Sequence, residues 1–103
     1  MHFSVPPKIL PLHFGQEITN EGSFAQLACV VTEGDEPLSI SWTFHGSALD
    51  ANLGIYTTPL GTRGSSLMIL RVGRRHTGKY SCQASNIAGK DTESVELEVN
   101  GEN

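Results

Sequence analysis

The chain has 103 residues, enough for one domain of ordinary size. Its 11 acidic and 7 basic residues leave a formal charge of −4, which argues against nucleic acid as a partner, since that partner selects a basic surface. No apolar run approaches the roughly 20 residues of a membrane-spanning helix, so no direct membrane contact is expected.

The start, Met1-His2-Phe3-Ser4, lacks the basic segment and apolar core of a secretory leader. Residues 1–4 are read as preceding the domain proper, 5–99 as a single domain and 100–103 as a linker stub. Pro6, Pro7 and Pro11 frame a first segment over 8–12. Proline donates no ladder hydrogen bond, so this is an edge strand, with 13–19 expected as its second half. Asn20-Glu21-Gly22 is a turn, and 24–31 alternates as a strand around Cys29. Glu33-Gly34-Asp35-Glu36-Pro37 is an acidic turn. Residues 39–44 (Ser-Ile-Ser-Trp-Thr-Phe) alternate strictly, as a half-buried strand does. His45-Gly46 turns into a short segment near Ala48-Leu49. Strands follow over 55–58 and 66–70, then a turn over 74–78 and a strand over 79–85. Asn86-Ile87-Ala88-Gly89 makes a hairpin into a last strand over 92–99. Short strands with turn signals every 8–12 residues, and no helical periodicity, predict an all-β sandwich.

The two cysteines, Cys29 and Cys82, bracket the lone tryptophan, Trp42, and Tyr80 stands two residues before the second. A bridge between them implies an oxidising compartment; two reduced thiols would suit a cytosolic domain. This framework resembles the immunoglobulin superfamily. Leu67-x-Ile69-x-x-Val72 followed by Gly78-x-Tyr80-x-Cys82, together with Asn86-Ile87-Ala88-Gly89, is similar to its intermediate set. The resemblance implies an immunoglobulin-like sandwich of two antiparallel sheets, A-B-E-D and G-F-C when strands are lettered in chain order. It also implies a Cys29–Cys82 disulfide between the sheets, with Trp42 packed on it, Leu67 in the core and Tyr80 forming a tyrosine corner. A bridge closing about 50 residues contributes roughly 4 kcal/mol.

Pro7-Lys8-Ile9-Leu10-Pro11, the run from Cys29 to Trp42, and Leu53-Gly54-Ile55 with Gly61-Thr62-Arg63 resemble the Down syndrome cell adhesion molecule (Dscam) domains of arthropods. That resemblance implies an extracellular domain of a larger neuronal or immune cell-surface receptor, whose variable domains bind identical copies of themselves. One position departs from the family: His76 stands where an aspartate is usual, four residues before Tyr80. The salt bridge of that aspartate is then missing, and the turn is expected to rest on Gly78 and Tyr80.

Side chains alternate across a strand, and the cysteines must face inward, so they set the phase. Ala25, Leu27, Cys29 and Val31 then point in, while Phe24, Gln26, Ala28 and Val30 point out. Leu67 and Ile69 point in, leaving Met68 and Leu70 outside on the neighbouring strand. The outer positions of the other sheet are polar: Ser39, Ser41, Thr43, Lys79, Ser81, Gln83, Ser85, Ser94, Glu96 and Glu98. Clustered exposed apolar side chains mark interaction sites, and methionine suits an adaptable one. Arg71, Arg74, Arg75 and Lys79 gather near one turn, and Glu33, Asp35 and Glu36 at the opposite end. An antiparallel two-fold dimer through the A-B-E-D face would bring acidic end to basic end. The expected function is therefore homophilic recognition by an identical domain. Rival readings are a face covered by the first strand or a neighbouring domain, weak binding of an anionic glycan such as heparan sulfate by the basic turn, and a passive spacer.

Nothing points to an enzyme, a metal or a cofactor. There is no Gly-x-Ser-x-Gly elbow, no phosphate-binding Gly-Lys-Ser/Thr loop and no His-Glu-x-x-His. His2, His13, His45 and His76 are scattered singly and read as surface polar residues. The acidic turn lacks the spacing of a calcium loop.

Overall fold

Residues 4–14 and 18–100 are described by the computed structural model, and they hold nine strands and two short 3-10 turns. The strands are β1 (Lys8–Ile9), β2 (Ile18–Asn20), β3 (Ala25–Glu33), β4 (Ser39–Phe44), β5 (Ser47–Ala48), β6 (Ile55–Pro59), β7 (Gly64–Ile69), β8 (Gly78–Asn86) and β9 (Gly89–Asn100). The turns span Ala51–Leu53 and Arg74–His76. Of the residues expected to flank the domain, 1–3 and 101–103 lie outside the described residues, as does His2.

The strands form two sheets, β1-β3-β7-β6 and β2-β9-β8-β4-β5. The first has the expected A-B-E-D order. The second is the expected G-F-C sheet with one strand added on each side. The expected second half of the first strand does not continue along β3. Instead β2 joins the opposite sheet, running parallel to β9 with Thr19 beside Val99. The physical reason is local: the Leu10 amide donates to the Val30 carbonyl at 3.0 Å, and Pro11 then removes the next amide hydrogen, so the chain leaves that edge.

The inward positions are those the cysteine phase predicts. Ala25, Leu27, Cys29 and Val31 of β3 and Leu67 and Ile69 of β7 are buried. Cys29 and Cys82 are bonded to one another, joining the sheets. Trp42 stands directly across from Cys82 in the β4–β8 ladder, and its indole N–H donates to Ser65 Oγ at 2.9 Å. Tyr80 lies stacked on Phe44, ring centroids 4.6 Å apart, with Phe14 edge-on at 5.7 Å. Its hydroxyl donates to the His76 carbonyl at 2.6 Å, closing the tyrosine corner. Burial pushes that hydroxyl well above the usual tyrosine range, so it stays protonated and remains a donor.

Gly78 is also required here. Its φ is +148°, and a Cβ there would run into the His45 ring. His76, in contrast, is not the surface polar residue the sequence suggests: it is buried. The turn therefore rests on a third residue besides Gly78 and Tyr80.

Candidate interaction face

The outer surface of the β1-β3-β7-β6 sheet is assembled row by row from its register. Ala25 pairs with Ile69, so the residues just beyond, Phe24 and Leu70, end one side of the sheet together. The next outward row runs Gln26, Met68, Tyr56 across β3, β7 and β6. The row after it is Ala28, Ser66, Thr58. The last is Val30 beside Gly64, with Leu10 on the β1 side and Leu60 on the β6 side. The sequence-predicted group of Phe24, Gln26, Ala28, Val30, Met68 and Leu70 is thus brought onto one face. Phe24 and Leu70 are each 53% exposed; Gln26 and Ala28 are exposed, and Val30 and Met68 half-buried.

Three large apolar residues of this surface escaped sequence reasoning. Tyr56 is 53% exposed, and Leu10 and Leu60 are also exposed. Tyr56 follows from alternation once Ile55 is turned toward the core, and Leu10 from the burial of Ile9. Leu60 depends on the hairpin between β6 and β7, where its amide donates to the Gly64 carbonyl at 2.9 Å. Its Cβ lies 3.2 Å from where a Gly64 Cβ would stand, so glycine makes the room it occupies. The first strand widens this face at its edge and does not lie across it, since β1 is paired with β3 in the same sheet. Ile87 is exposed in the hairpin between β8 and β9 and stands outside this group.

The middle of the face is polar and internally satisfied. Ser66 is buried there and accepts from Gln26 Nε2 at 3.1 Å. No buried side-chain nitrogen or oxygen among the described residues lacks a partner.

The acidic end is less available than its composition suggests. Glu36 pairs with Arg63 at 3.3 Å. Asp35 is committed to holding the first segment: its carboxylate accepts from the Val5 amide at 2.8 Å, and its own amide donates to the Val5 carbonyl at 3.1 Å. Asn86 locks the same corner, donating to the Val5 and Asp35 carbonyls at 2.8 and 3.0 Å. Glu33 is exposed opposite Lys8. Arg74 and Arg75 are exposed in the 3-10 turn at the other end.

The outer surface of β2-β9-β8-β4-β5 has the opposite character. Ser39, Ser41, Gln83, Ser94, Glu96 and Glu98 are exposed, and Ser81 and Ser94 share a hydrogen bond at 2.7 Å.

Comparison with known proteins follows this architecture. The family model described as immunoglobulin domain matches residues 6–86. The chain belongs to the immunoglobulin domain family. Among solved structures, this immunoglobulin domain is similar to the Dscam1 Ig7 domain, isoform 5, with a TM-score of 0.90 and 37% identity over 95% of this chain and 100% of that one. It is also similar to a structure of the N-terminal eight Ig domains of Down syndrome cell adhesion molecule, at 40% identity and a TM-score of 0.87, over 93% of this chain and 12% of that one. The cell adhesion molecule Dscam1 of Drosophila melanogaster is 37% identical over 93% of the chain. The immunoglobulin domain spans about 5% of that relative's length.

Proposed function

We propose that this immunoglobulin domain acts in cell-surface recognition, outside the cell and as part of a larger receptor, by binding an identical domain through the outer face of β1-β3-β7-β6. The observation that carries the reading is the exposure of Phe24, Tyr56, Leu70, Leu10 and Leu60 on one sheet while the other sheet is polar outside. Monomeric domains seldom leave so many large apolar side chains bare on one face. The pattern also suits a second copy. Large apolar side chains stand at both ends of the face, with Ala28 and Ser66 between them. In an antiparallel two-fold pair, one copy's Phe24 and Leu70 meet the other's Leu10, Val30 and Leu60, while the small residues let the sheets approach. Charge is the weaker support, because Asp35 and Glu36 are already engaged within the molecule. The similarity to Dscam adhesion molecules agrees with this assignment.

Sedimentation of wild type and Met68→Glu across a concentration series tests the proposal. The expected result is a wild-type dimer and a variant whose self-association is at least about 30-fold weaker, since an unpaired buried charge costs about 2–5 kcal/mol at an interface. An unchanged dimer would rule out this face, and a wild-type monomer at high concentration would favour a spacer. Retention on immobilised heparin at physiological salt would instead assign glycan binding to Arg71, Arg74 and Arg75.

A further inference from the structure

We propose that Gln26 is the self-recognition residue of the β1-β3-β7-β6 face: in the two-fold pair its side-chain amide bonds to the Gln26 amide of the second copy. The inference rests on the homophilic reading above and adds to it the contact that tells an identical chain from an unlike one.

The face alternates in bulk. One outward row holds Gln26, Met68 and Tyr56 on β3, β7 and β6, and the next holds Ala28, Ser66 and Thr58 on the same three strands. Long side chains thus stand beside a row of short ones. A two-fold axis that turns one sheet to face another lies between the sheets, and in the antiparallel arrangement it runs across the strands. Each strand then faces its own copy. With Phe24 over Val30, the axis passes at the level of Leu27. The long row of each copy settles over the short row of the other: Gln26 over Ala28, Met68 over Ser66 and Tyr56 over Thr58.

Gln26 stands one residue from that level, about 3.4 Å along the strand. Its direction decides its role. Nε2 donates to Ser66 Oγ at 3.1 Å, and Ser66 belongs to the next row, so the side chain leans along the strand toward the axis. Symmetry makes the second copy's Gln26 lean toward the same line. One N–H of each amide is used by Ser66. The other N–H and the carbonyl oxygen have no partner among the described residues, and in the free domain they face water.

An amide is suited to meeting itself. It carries donor and acceptor side by side, so two identical amides across a two-fold axis satisfy one another with reciprocal N–H···O bonds. A carboxylate or an ammonium at this position would meet its own charge. The surroundings sharpen the requirement. Neither row carries a charged side chain, and Phe24, Tyr56, Met68 and Leu70 exclude water once the faces close. A polar group left there without a partner weakens binding. A chain with a charged or apolar residue at this place leaves the Gln26 amide unpaired, and the contact discriminates against it.

The test is a charge exchange. Gln26→Glu and Gln26→Lys are followed by sedimentation across a concentration series, each alone and the two mixed in equal amounts, beside wild type and Met68→Glu. Gln26 is exposed, and either new side chain can still bond to the Ser66 hydroxyl, so both variants should fold, which melting curves check. Each alone should self-associate at least about 30-fold more weakly than wild type, because like charges meet at the axis. Mixed, the two should pair with one another to within about tenfold of the wild-type affinity, the new attraction replacing the amide bonds. Single variants that associate as wild type does, or that stay apart when mixed, overturn the role of Gln26; a dimer still lost in Met68→Glu then upholds the face. A monomeric wild type, or a dimer that survives Met68→Glu, overturns both. Should either charged variant fail to fold, Gln26→Leu decides: it should pair with wild type about tenfold more weakly than wild type pairs with itself, and equal affinity refutes the inference.

Discussion

Two outer surfaces of one sandwich carry different chemistry. Beyond β1-β3-β7-β6 stand Phe24, Tyr56 and Leu70; beyond β2-β9-β8-β4-β5 stand Ser41, Gln83 and Glu96. Their inner surfaces are alike, for Leu27, Val31, Leu67 and Ile69 on one side face Trp42, Phe44, Tyr80 and Leu97 on the other. Burial in the core constrains only one side of each strand. The other side is free to be polar, and the second sheet shows that nothing in this fold forbids it. The fold itself therefore does not account for the apolar outer face of the first sheet, and the partner proposed above would.

The most severe way to break this comparison is to remove what holds the two sheets in register. Replacing Cys29 and Cys82 together by alanine should cost about 4 kcal/mol in urea denaturation, because the bridge closes a 53-residue separation. With so small a core, both faces would lose definition at once. Next in size is a test of the apolar face itself. Tyr56→Ala should weaken self-association by about 2 kcal/mol, roughly 30-fold, while leaving folding stability within about 0.5 kcal/mol. Gln83→Ala on the polar face should alter neither quantity, and equal losses from the two would erase the distinction. Tyr80→Phe acts beneath the polar sheet. It should cost about 1.5 kcal/mol of stability through the lost bond to the His76 carbonyl, with no change in the dimer affinity of folded molecules. The smallest effect is expected from Glu36→Gln at the acidic end. It removes only the exposed pair with Arg63, whose guanidinium keeps its bond to the Val31 carbonyl, so the stability change should stay below about 1 kcal/mol and shrink further in high salt.

Much of this face was legible because one strand carried its own marker. Cys29 had to face inward, and alternation then assigned Phe24, Gln26, Ala28 and Val30 to the outside. Strand β4 was predictable to the residue, since strict alternation over Ser39–Phe44 admits no other reading. Strands β8 and β9 run longer than their sequence signals, because main-chain pairing extends into Asn86 and Gly89 where side-chain pattern has ended. Strand β6 has no marker of phase, and Tyr56 went unnoticed for that reason. The path of the first segment was misread because Pro11 marks where a ladder stops but not which sheet receives the chain afterwards.

The sequence alone determined the periodic quantities: strand type, the inward and outward sets flanking each cysteine, and the polar character of the second sheet. These follow from neighbours one and two residues away, where backbone geometry leaves little choice. Tertiary structure decided which strands lie side by side, and so that Leu10, Tyr56 and Leu60 join Met68 and Leu70 on a single surface. It also decided that His76, flanked by exposed Arg75 and Thr77, is buried against a carbonyl 23 residues away. No local pattern encodes such a contact, because it exists only after distant turns have packed together.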